Sequence, residues 1–375
     1  MDQTIAPIRR TTLPAMAADA DLTALQDGGG LPAYRASWVD RLLVRLEGLP
    51  GPTWLAFTGV AAASLAYVMI LLALSGHDPT VVGPRFALIS LAPTLVLVLM
   101  RHLNLVARES FDRFRPLLEV DEAAAAQLRR GMSVLPELPV MIIVGAVIPA
   151  NIIGAATAPS NFEIEGTSLA ASTMLVTYAC LVSTSYLVLT LQIVRQLMSV
   201  ERIHREAKRI DLFNVTPLHA FSRLTSQASL GLLVLVGLLI ATTVPQMVMA
   251  SSNQLVTATS IALYGGLGVA AIASFVLPLY GLHGRIEIEK ERLQADADAL
   301  LESLLGALHH DASRLDLSRA DGLNKLLGSA FQERELLSRL PTWPWQAATL
   351  RAFVSALILP VLVYVLARAA ERVVL

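Results

Sequence analysis

Residues 54–75 read WLAFTGVAAASLAYVMILLALS, 22 residues without Asp, Glu, Lys or Arg. As a helix this run would extend ~33 Å at ~1.5 Å per residue, enough to cross a hydrocarbon core of ~30 Å. Its apolar residues follow one another without the two-residue alternation of a membrane strand. A spanning helix is therefore the expected structure, because a helix satisfies its own backbone hydrogen bonds. Glu47 and Asp78 bound the run.

The same pattern recurs along the chain. Charge-poor runs lie between Arg85 and Arg101, between Glu137 and Glu163, between Glu165 and Arg195, and between Arg351 and Arg368. The stretch from Arg223 to Arg285 holds two more, separated by the polar segment Ser251, Ser252, Asn253 and Gln254. Seven spanning helices are expected, near residues 53–75, 85–106, 136–157, 168–198, 227–250, 257–282 and 347–370. The fold class is all-α: a polytopic seven-helix transmembrane bundle whose extended helices form a cytoplasmic helical hairpin.

Composition agrees. Of the 375 residues, 54% are hydrophobic and 16% charged, with a mean hydropathy of +0.59; an ordinary soluble protein carries about 25% charged residues. This balance excludes a disordered chain, a disulfide-rich secreted domain and a basic nucleic-acid binder. The formal net charge of −1 sets up no global field toward any partner. Cys180, the single cysteine, excludes an intramolecular disulfide and a cysteine-based metal site.

Orientation follows from the cations. With the N-terminus in the cytoplasm, 26 of the 29 Lys and Arg residues fall on the cytoplasmic side, and only Arg85, Arg368 and Arg372 on the other. The C-terminus is then outside. The first 50 residues hold no signal sequence, so the first span is expected to lead insertion. Arg outnumbers Lys, and Ala and Leu abound, a bias that reads as a GC-rich bacterium; the expected location is the cell inner membrane.

Residues 1–50 are read as a flexible cytoplasmic N-terminus that ends in a juxtamembrane helix, with Trp38, Leu42, Leu46 and Leu49 near helical spacing. Two placements fit this helix: the inner membrane surface, or packing on the protein itself. Residues 51–283 hold six spans and two cytoplasmic helical loops, 107–132 and 199–226. No Gly or Pro occurs from Thr167 to Thr216, so the fourth span is expected to continue as a rod of ~75 Å. Residues 284–346 are expected to form the hairpin. Its first helix carries the stripe Ile286, Leu293, Ala297, Leu300 and Leu304, with Leu301, Leu305 and Leu308 beside it, and its second Leu323, Leu327, Ala330, Leu337 and Leu340. Trp343 and Trp345 then return the chain to the membrane interface for the seventh span, 347–370.

Chemistry is sparse. No zinc-protease, phosphate-loop or nucleophile-elbow motif is present. No catalytic residue, cofactor or metal is expected, and the protein is read as not an enzyme. No Asp, Glu, Lys or Arg sits at the centre of a span, which argues against proton-coupled transport and voltage sensing. The polar residues within spans are Asn151, Ser183, Thr184, Ser185, Thr190, Gln192, Thr242, Thr243 and Gln246. They serve either helix packing and back-bonding or the lining of a polar cavity. Gly265, Gly266 and Gly268, with Pro278, mark either close helix packing or a hinge in the sixth span. Span prolines Pro93, Pro149, Pro245, Pro278 and Pro360 each free a carbonyl that needs another partner.

The layout resembles that of insect chemoreceptor-type channels. Shared features are seven helices, a cytoplasmic N-terminus and an outer C-terminus, with spans four and six extended into a cytoplasmic bundle. The resemblance covers the arrangement as a whole and no specific residue. The function expected is that of a non-enzymatic, homo-oligomeric membrane protein, channel-like or sensory, assembled through cytoplasmic helices. The alternative is a membrane scaffold or transporter subunit that docks a separate cytoplasmic protein. Expected partners are thus the lipid bilayer, further copies of the chain and a possible cytoplasmic protein, with no nucleic acid.

Overall fold

The computed structural model describes residues 34–76, 84–157, 168–207, 212, 219–249, 254–313, 320–343, 345, 350–355, 357 and 358. Residues 1–33, the segment 251–253 and most of the expected seventh span lie outside this set. So do the side chains of Thr242, Thr243 and Gln246.

The described residues are almost wholly helical and contain no strand. The helices are α1 Trp38–Glu47, α2 Thr53–Leu74, α3 Pro84–Phe114, α4 Glu122–Ser133, α5 Glu137–Thr157, α6 Leu169–Glu206, α7 Ala220–Met249, α8 Gln254–Ser313 and α9 Ala320–Arg339. Six of them, α2, α3, α5, α6, α7 and α8, are long and apolar enough to cross a membrane. On α5, Leu138 and Ile142 are 72% and 63% exposed, and on α2 Trp54 is 63% exposed. Large apolar side chains turned outward along whole helices suit a lipid surround, since a soluble protein rarely exposes apolar patches of that extent.

The chain forms two compact units, to which α3 and α6 each contribute. The first comprises Met1–Arg101 and Val134–Leu189. In it, α1 is tied to the protein at both ends. Ser37 caps α1 by accepting from the Asp40 amide at 3.2 Å, and its hydroxyl donates to the Asp40 carboxylate at 2.8 Å. The same carboxylate accepts the Leu135 amide at 2.8 Å, just before α5, while the Ser37 amide donates to the Leu135 carbonyl at 2.9 Å. Arg41 pairs with Glu137 at 2.8 Å, and Glu47 with Arg101 at 2.6 Å. Val39, Asp40 and Leu43 of α1 are buried against the protein.

The second unit comprises His102–Ser133 and Thr190–Leu375. Its core gathers Phe114, Val200, Ile203, Phe221, Leu224 and Leu279. The His204 ring meets Phe114 and Phe221 edge-on at 5.3 and 5.2 Å. Here α6 stops at Glu206, short of the Thr216 that a breaker-free sequence permits. The cause lies elsewhere in the chain. The Arg285 guanidinium donates to the carbonyls of His204 and Ala207, and Ala207 bridges to Leu118. Carbonyls orphaned at a helix C-terminus take such external donors. Likewise α3 runs to Phe114, past the expected end near 106, and α7 starts at Ala220 rather than near 227.

Helix α8 is continuous over 60 residues, through Gly265, Gly266, Gly268 and Pro278, so the helix has no break at the candidate hinge. It packs antiparallel on α9. Asp298 pairs with Arg334 at 2.6 Å, and Lys290 donates to the Ser338 and Leu340 carbonyls at 2.9 and 2.7 Å. The inward face of α8 runs through Ala297 and Leu301, which are 4% and 6% exposed. Leu300, assigned to this stripe from spacing, points outward at 45% exposure. One residue is ~100° on a helix, so spacing alone left the face uncertain by that angle. Facing it on α9, Ala330 and Leu337 are buried. Beyond α9 five rings form one stack: His283 on Trp343 at 3.8 Å, Trp343 on Trp345 at 4.6 Å, Trp345 on Phe275 at 5.1 Å, and Phe275 on Phe353 at 4.3 Å.

Candidate functional site

The first unit holds a half-open cavity of about 420 Å³ lined by α1, α2, α3 and α6. Drug-sized molecules occupy pockets of ~300–1,000 Å³. Trp38 and Leu42 of α1 close one side, Val96 and Met100 of α3 another, and Leu181 and Val188 of α6 a third. No charged residue lines it, and the polar lining consists of six hydroxyls and the Trp38 indole.

The polar end is built around a proline. Pro93 lies inside α3 and has no N–H to give the carbonyl four residues earlier, that of Ile89. Tyr178 of α6 supplies the missing donor, its hydroxyl lying 3.0 Å from the Ile89 carbonyl oxygen. One residue further along α3, the Ser90 carbonyl accepts the Ser64 hydroxyl of α2 at 2.6 Å. The Ser64 and Tyr178 oxygens are themselves 2.9 Å apart. Tyr178 is 5% exposed and stacks on Tyr67 with ring centroids 5.5 Å apart. Three helices thus meet at a hydroxyl pair in a largely apolar surround.

The residues singled out from the sequence divide between the two units. Thr184 and Ser185 line the cavity, and Ser185 back-bonds to the Leu181 carbonyl at 2.7 Å. Asn151 back-bonds to Val147 at 2.9 Å. Ser183 belongs to the same unit but is not part of the lining. Thr190 and Gln192 fall in the second unit, where Gln192 and Gln196 donate to the Asn104 side-chain oxygen at 2.9 and 3.2 Å. Among the described residues singled out from the sequence, only Thr184 and Ser185 line the cavity. Ser64, Tyr67 and Tyr178, which carry the cavity's polar end, were not singled out from the sequence. The available signal was each tyrosine inside an apolar run, since a buried phenol needs a partner.

A second groove in this unit, lined by Ile148, Ile152, Ser172, Val176 and Cys180, is open and carries no hydroxyl pair of this kind. Compared with known protein families, curated proteins and solved structures, the chain matches none.

Proposed function

We propose that this chain is a non-enzymatic multi-pass membrane protein of the sensory kind, which takes an apolar small molecule into the cavity of its first unit. The cavity carries this reading. It combines the volume of a ligand site, an apolar wall and a few fixed hydroxyls, the usual makeup of small-molecule pockets. Its wall includes α1, which is latched to the start of α5 by Asp40, so occupancy can be passed on to the N-terminal segment. The protein resides in a bacterial inner membrane, N-terminus in the cytoplasm and C-terminus outside, with α8 and α9 forming a cytoplasmic hairpin. Copies assemble through the outward faces of that hairpin, where Leu300 and Leu305 are exposed.

The scaffold reading is the alternative: Leu326, Phe331 and Leu336 of α9 also face outward and would suit a separate cytoplasmic protein. Native mass measurement of the protein extracted from its membrane tests both. A homo-oligomer carrying a bound apolar adduct is the expected result. A monomer without adduct overturns the sensory reading, and a stoichiometric second protein replaces it with the scaffold.

A further inference from the structure

The cavity's hydroxyls point to the chemistry of what enters it. Five of the six spend their protons on backbone carbonyls: Ser64 on Ser90, Tyr67 on Met174, Thr177 on Thr173, Tyr178 on Ile89 and Ser185 on Leu181. A hydroxyl has one proton and two acceptor lone pairs. At the Ser64–Tyr178 pair, two protons are shared among three contacts: the two carbonyls and the 2.9 Å contact between the hydroxyls, in which either oxygen can donate. The pair is thus rich in acceptor capacity and has no proton to spare. Charged ligands are disfavoured, since no charged side chain lines the space and an unpaired ion in an apolar site is costly. A cavity of about 420 Å³ lies at the small end of ligand pockets and suits a compact bicyclic or short-chain molecule.

We propose that the cavity binds an uncharged, compact, mainly apolar molecule that donates a hydroxyl or N–H hydrogen bond to the Ser64–Tyr178 pair. This rests on the sensory reading and adds the ligand's class to it: alcohols and phenols over their ethers, ketones and carboxylates. Trp38 and Thr184 are the lining residues able to donate instead, and a preference for acceptor ligands would follow if they governed binding.

The test uses the full chain in lipid nanodiscs with three probes read by their own fluorescence: β-naphthol, its methyl ether, and β-naphthoate. Saturable binding of β-naphthol is expected, with the ether about tenfold weaker, the worth of a hydrogen bond of ~1.4 kcal/mol. No saturable binding of the carboxylate is expected. Ala63→Trp fills the cavity from an already exposed face of α2 and should abolish binding of both neutral probes. The paired change Ser64→Ala with Tyr178→Phe should bring the ratio of alcohol to ether affinity from about tenfold down to about one. Equal affinities of alcohol and ether in the unaltered protein overturn the donor assignment and leave the cavity standing. Binding of both neutral probes that is indifferent to Ala63→Trp is partition into lipid, and overturns the sensory reading with it.

Discussion

Tyr178→Phe removes one oxygen atom, and the structure says where the cost falls. The Ile89 carbonyl has lost its helical donor to Pro93 and takes the Tyr178 hydroxyl instead. Stranding a buried acceptor costs ~1–3 kcal/mol, while hydrogen bonds between membrane helices average ~0.6 and reach ~1.7 kcal/mol. The two ranges overlap near 1–1.7 kcal/mol, the predicted loss. Pro93→Ala supplies an N–H to the same carbonyl, so in that background Tyr178→Phe should cost only ~0.5 kcal/mol, the residue of its contact with Ser64. The coupling between the two sites is then ~1 kcal/mol, within the usual range for residues that share a partner. Tyr67→Phe is the control. The Met174 carbonyl it bonds lies inside α6, where the amide four residues on is a regular helical donor, so its loss should stay below ~1 kcal/mol. Thermal unfolding in detergent reads these differences at ~2–4 °C per kcal/mol for a domain of ~200 residues. Strictly additive costs of Tyr178→Phe and Pro93→Ala would refute the shared carbonyl, as would a neutral Tyr178→Phe.

Arg285→Ala should uncap α6 and speed amide exchange in its last turn about tenfold, with Arg285→Lys rescuing little because a single ammonium does not reproduce the fork; hydrogen-exchange mass spectrometry measures it. Leu301→Asp should destabilise the α8–α9 pair by ~3 kcal/mol or more through a buried unpaired carboxylate, while Leu300→Asp leaves the protomer's melting within ~0.5 kcal/mol and instead weakens any assembly through that face. Thermal melts and mass measurement of the two variants separate these outcomes. Reporter fusions test the orientation set by the cations: a reporter active only in the cytoplasm should work near Asp316, and one active only outside should work at Leu375. Reversed signals at both positions would overturn it.

What the sequence determined by itself is the set of elements that need no partner. A charge-free run of about 20 apolar residues becomes a spanning helix because its backbone bonds are all local. Hence α2, α5 and α6 are found where the runs predict them. The helix of residues Glu122–Ser133 overlaps the helical loop expected at 107–132. Tertiary structure decided what is not local. The end of α6 depends on Arg285, which reaches the His204 carbonyl from 81 residues away. The tie between α1 and the start of α5 depends on Asp40 meeting Leu135, 95 residues on. The cavity depends on Tyr178 answering a carbonyl that Pro93 had left open, 89 residues from its own position. The sequence could say that each span proline frees a carbonyl. It could not say which hydroxyl would come to meet it, because that pairing is fixed by how three helices pack and not by the spacing within any one of them.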